Sequence, residues 1–122
     1  MNKNLVNKVG ERGQDNLIAR LYPRALTTGV NIVAGAGELA RGTVLSRKDD
    51  GTCEVMAEGG TPAYILADPV DATGDAAVAA VVYRSGNFNP NAIIVSDGYA
   101  LTAADKDTLR KYDIVFTDMM DD

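Results

Sequence analysis

From Val30 to Val95 the apolar residues fall in short segments of four to nine residues, separated by stretches that hold Gly, Pro, Asp or Asn. That punctuation constrains the fold more than any other feature of the chain. A helical core needs longer segments, with apolar residues spaced by three and four. These runs are shorter and rich in Val and Ile, which suit pleated, half-buried surfaces. Strands are predicted over 30–34, 39–46, 53–56, 63–67 and 76–84. Lys48-Asp49-Asp50-Gly51 joins the second and third as a hairpin, because Asp supplies side-chain turn bonds and Gly accepts positive φ. Gly42 reads as a bulge or bend. Residues 58–62, 68–74 and 86–90 read as loops or turns, the last carrying Phe88 as an exposed aromatic. Ala92–Val95 is too short for its period to separate strand from helical turn.

One helix is signalled late in the chain. Thr102-Ala103-Ala104-Asp105 has the form of a capping box with Asp in place of Glu. Asp105 and Asp107 lie near the positive helix end, Arg110 and Lys111 near the negative end. Leu109 and Tyr112, three apart, are expected to face inward together. Ile114-Val115-Phe116 reads as a last strand. The expected class is mainly β with one helix in the C-terminal half, a β-rich α+β domain. At 122 residues the chain is one domain long, with enough length for a real core.

Charge divides the chain unevenly. Residues 1–24 carry five cations and two anions, whereas residues 25–122 carry seven and fifteen, which closes at the net −5. The balance argues against nucleic acid as a partner, since phosphate binding needs clustered cations. Residues 1–16 are polar and read as disordered in isolation. Residues 17–26, LIARLYPRAL, are apolar but hold Pro23, which blocks a long helix. The chain is therefore divided into a flexible N-terminal arm, 1–24, and a single β-rich body, 25–122. The arm has two readings: a frayed terminus, or a segment that docks by strand addition on a partner.

Three scarcities narrow the chemistry. There is no His, which removes His-based acid–base catalysis, His-activated nucleophiles and His metal ligation. Cys53 is the sole cysteine, so no intrachain disulfide or thiolate cluster forms. There is no Trp, and aromatic residues are 6%, which leaves few stacking platforms for bases or sugars. The N-terminal sixteen residues lack the apolar stretch of a secretory signal, and no run approaches the roughly 20 residues of a membrane span. Synthesis in a reducing cytoplasm, or residence in a particle assembled there, is the expectation.

Other candidate sites favour bland readings. Gly35, Gly37 and Gly42 do not match a phosphate-loop spacing. Asp68, Asp71 and Asp75 do not follow the EF-hand loop, and Pro69 interrupts them, so a solvated acidic turn is expected. Cys53 has no base to activate it and reads as a buried structural thiol. Ser85 lacks the nucleophile-elbow context. Tyr83 and Phe88 flank a turn and read as a packing anchor. No catalytic, cofactor or metal residue is assigned.

The order of motifs from residue 63 to 116 resembles the lambda-type head decoration proteins of tailed phages, the capsid cement family. The matching pieces are Ile65-Leu66 before an acidic turn, the motif Tyr83-Arg84-Ser85-Gly86-Asn87-Phe88, and Leu109-Arg110 through Ile114-Val115-Phe116. The preceding GELARGTVLSRKDDGTCEVM is similar to that family's hairpin. The resemblance spans about three-quarters of the chain; Asn4 to Arg24 matches no motif of the family. It implies a structural virion protein that binds the outer surface of the mature phage head as a homotrimer and cements the shell. The implied partners are the major capsid protein and further copies of the chain, with no cofactor, nucleic acid or membrane. Leu17, Ile18, Arg20, Leu21, Tyr22 and Arg24 are the candidate capsid-binding arm residues. Tyr83, Ser85, Gly86 and Phe88 form the motif turn. Two other classes stand beside this one: a β-rich module binding a carbohydrate or host protein, and an enzyme using carboxylates alone.

Overall fold

The computed structural model describes residues 16–20 and 22–117. Expectations for Leu21, for the leader before residue 16 and for the acidic tail after 117 lie outside the described residues. Among the described residues there are nine strands: β1 (Ile18–Arg20), β2 (Leu26–Ile32), β3 (Gly37–Leu39), β4 (Val44–Arg47), β5 (Cys53–Val55), β6 (Pro62–Leu66), β7 (Val70–Ala72), β8 (Val78–Phe88) and β9 (Ile114–Phe116). Among the described residues there is one helix, α1 (Ala103–Arg110). The protein is mainly β, with its short helix in the C-terminal half.

Five strands close on themselves. β8 pairs antiparallel with β2 and with β6, β6 with β4, and β4 with β5. β5 returns to β2 through a short parallel seam, Ile32 opposite Cys53, with Val33 N–H donating to Cys53 O at 2.9 Å. Closure of this kind removes free strand edges. All five strands contribute to the interior: Ile32, Leu45, Cys53, Leu66, Ala80 and Val82 are buried together with Ala72. A second core covers the outer face, where Val44, Ile65 and Tyr83 pack with Leu17, Met56, Phe88, Leu109 and Ile114. Burial on both faces explains why Val44-Leu45 and Ile65-Leu66 are continuous apolar pairs and not alternating ones.

β8 is the spine. Its first part belongs to the barrel, and its last residues carry β1 antiparallel on one side and β9 parallel on the other. The expected turn at 86–90 is corrected here. The strand runs on to Phe88, which is fully buried at 0% exposure. Gly and Asn favour turns locally, but hydrogen-bonding neighbours on both edges override that preference.

Three other expectations are revised. The run 39–46 is two elements, β3 and β4, broken at Gly42. There φ is +99°, and a Cβ would lie 2.8 Å from Ala92 O, so only glycine fits. The acidic turn 68–74 contains β7, which pairs with β3 in a separate two-stranded ribbon. Tyr112 does not join Leu109 inside: Leu109 is 0% exposed and Tyr112 is 56%. The helix ends at Arg110, and Asp113 at φ 67° redirects the chain into β9. The capping box itself is formed, with Asp105 N–H donating to Thr102 Oγ1 and Thr102 N–H to the Asp105 carboxylate, both at 3.0 Å. Residues 92–95 are irregular, held by a single bridge between Thr43 and Ile94.

Candidate functional site

The candidate arm residues meet the end of β8, and the motif residues explain how. Leu17 enters the outer core at 1% exposure, and its carbonyl accepts from Asn89 N–H at 2.7 Å. Ile18 and Arg20 then lie in β1, opposite Phe88 and Asn87. After Leu21 the chain passes over β8, where two side chains hold its backbone. Asn87 Nδ2 donates to Tyr22 O at 3.0 Å, and Ser85 Oγ donates to Arg24 O at 2.8 Å. Both donors are buried, Ser85 at 6% and Asn87 at 8% exposure. Buried polar groups persist where they find partners; Ser85 Oγ and Asn87 Nδ2 find theirs on the arm, while Asn87 Oδ1 has no partner among the described residues.

Gly86 sits between them for a steric reason. A Cβ there would lie 2.6 Å from Phe88 Cζ and 3.5 Å from Ala25 Cα. Its N–H donates to Asp113 O at 2.9 Å, tying β8 to the entry of β9. Tyr83 completes the group from below. Its ring centroid is 5.3 Å from that of Phe88, and its hydroxyl accepts from Arg41 Nη1 at 2.8 Å. Arg41 Nη1 also donates to Ala67 O at 3.1 Å, so one guanidinium links the end of β6 to the middle of β8. The motif is a clasp for the arm root.

The clasp leaves one aromatic outside. Tyr22 is 84% exposed while its own carbonyl is held. β1 is the terminal strand of its sheet, with β8 on one side and no described strand on the other. A terminal strand offers unpaired N–H and C=O groups to a further strand. Leu17, unlike Tyr22, is packed into the chain's own outer core. Asn87, not singled out from sequence, holds the arm backbone as Ser85 does. Its place in the motif beside Ser85, two residues on and on the same strand face, is the signal that marks it.

The remaining candidates keep structural roles. Burial pushes the Cys53 thiol up from its ordinary value, away from reactivity. Asp71 Oδ1 accepts from Thr73 N–H at 3.0 Å and Thr73 Oγ1 at 2.7 Å, which holds the exposed carboxyl below its usual range. Among the described residues no group of three His, Cys, Asp or Glu could hold a metal ion. No described helix is long and apolar enough to cross a membrane.

Among curated proteins the chain has no match. The family model of the bacteriophage lambda head decoration protein D matches residues 10–114, which takes in both the arm root and the clasp.

Proposed function

We propose that this chain, which belongs to the bacteriophage lambda head decoration protein D family, binds the outer surface of the mature phage head as a homotrimer and cements the shell. Family membership supports a structural, capsid-associated role. The finer reading gives the chain two partners, the major capsid protein and its own copies, and no catalytic step. Synthesis takes place in the host cytoplasm before assembly.

The observation that carries this reading is the clasped arm root. Ser85 and Asn87 fix the backbone of residues 22–24, and Tyr22 stands 84% exposed above it. Fixing the root reduces the ordering cost of docking, which runs to about 1–2 kcal/mol per residue. Ile18 and Arg20 present the open edge of β1, and Tyr22 and Arg24 present side chains beside it. Leu17 anchors the assembly and does not touch the capsid. The basic arm then approaches acidic capsid residues while the acidic body remains outside.

Undecorated, expanded shells test this directly. Tyr22→Ala should bind such shells at least tenfold more weakly than the natural chain, with its melting temperature unchanged. Equal affinity would move the docking surface away from the arm root. Binding of the natural chain to a glycan surface without any shell would favour the carbohydrate-module reading instead.

A further inference from the structure

Two hollows on this chain carry opposite charge. One, of about 610 Å³, is lined by Arg47, Lys48 and Arg84 with Tyr64 and Tyr112, and Asp49 is the single anion in its lining. Arg47 and Arg84 follow the interior residues Leu45 and Val82 by two positions, so they rim one end of the barrel. The other hollow, of about 430 Å³, lies on the β3–β7 ribbon, with Glu38 and Asp71 beside Leu39, Pro69 and Val70.

Among the described residues, neither patch forms a salt bridge. Glu38 and Asp71 stand directly opposite each other in the ribbon ladder. Like charges so placed destabilise a sheet. Asp71 is also held rigid by Thr73. The one ion pair among the described residues is Arg110–Asp107 at 3.0 Å, so none of these cations or anions forms a salt bridge with another described residue. The patches share no residue. Pro62 lines the basic cleft and Pro69 the acidic hollow, and β6 runs between them for about 13 Å.

We infer that the basic cleft of one copy receives the acidic ribbon of the next, and that this contact joins the copies of the decoration trimer. The inference rests on the homotrimer reading above. A ring of three needs two different, mutually complementary patches on every copy. Copies of a chain with net charge −5 repel one another overall, so their contact needs local complementarity. Here the cleft arginines and lysine would also relieve the repulsion between Glu38 and Asp71.

A charge swap tests the pairing. R47E/R84E makes both patches acidic, and E38K/D71K makes both basic. All four side chains are exposed, and thermal melts confirm that each variant folds. Each variant should associate at least tenfold more weakly than the natural chain, by sedimentation in solution and by copy number at each shell position. The four-residue combination, which exchanges the charges, should restore trimers. A zero-length carbodiimide crosslink from Lys48 to Glu38 or Asp71, between isotopically light and heavy copies on shells, is the expected chemical signature. Trimers that survive both two-residue variants would overturn the assigned interface while leaving the trimer reading intact. A natural chain that sits on shells only as isolated copies would overturn both.

Discussion

Leu17 separates anchoring from docking, and replacing it gives a large, specific expectation. Its side chain is 1% exposed among Val44, Met56, Tyr83, Phe88 and Leu109. Leu17→Ala removes three carbons, worth about 2.4 kcal/mol at about 0.8 kcal/mol per methylene. The pocket left behind adds to this, because the barrel strands around it collapse only partly. The expected loss is about 3–4 kcal/mol. For a domain of this size that lowers the melting temperature by roughly 10 °C or more. Tyr22, at 84% exposure, supplies the contrast: Tyr22→Ala should change stability by less than about 0.5 kcal/mol. Urea unfolding followed by circular dichroism reads both. Deleting residues 1–24 should lower the urea midpoint by at least as much as Leu17→Ala. An unchanged midpoint in Leu17→Ala, or in the deletion, would refute the claim that the arm root belongs to the core.

Gly86→Ala should destabilise by about 2–3 kcal/mol, since its Cβ would meet the buried Phe88 ring at 2.6 Å; a urea midpoint equal to that of the natural chain would remove the steric account of the motif. Acid should weaken the protein partly through Asp105. Burial raises this carboxyl, but hydrogen bonds from the Tyr99 hydroxyl and from Thr102 outweigh it and leave its pKa below the ordinary value. A depressed folded pKa contributes stability above the unfolded value near 4, and that stability is lost as pH falls through the folded pKa. Asp105→Asn should therefore flatten the fall in stability below about pH 4 relative to the natural chain, in urea melts taken across that range.

What the sequence makes legible is local. The Lys48–Gly51 hairpin forms with Gly51 N–H donating to Lys48 O at 2.9 Å, and the capping box at Thr102 forms with both bonds in place. Each is decided by residues a few positions apart. The misread elements depend on distant partners. Ser85-Gly86-Asn87-Phe88 has turn composition, yet β1 and β9 come from opposite ends of the chain to make it a strand. Val70–Ala72 lies between turn signals and becomes β7 only because Gly37–Leu39 pairs with it. The burial of Leu17 is not legible either, since an apolar residue in a short N-terminal run carries no mark of which core it enters. The family motif points to Tyr83, Ser85, Gly86 and Phe88, but not to what they touch. In the structure Ser85, with Asn87 beside it, holds the carbonyls of Arg24 and Tyr22.

Cryo-electron microscopy of expanded shells, imaged with and without added protein, tests the central claim most directly. The account predicts three copies at each three-fold and quasi-three-fold position on the outer surface. Tyr22 and the open edge of β1 should face the capsid protein, and the acidic ribbon should point into a neighbouring copy. Absence of density on the outer surface, or copies attached with the clasped arm root facing solvent, would contradict it.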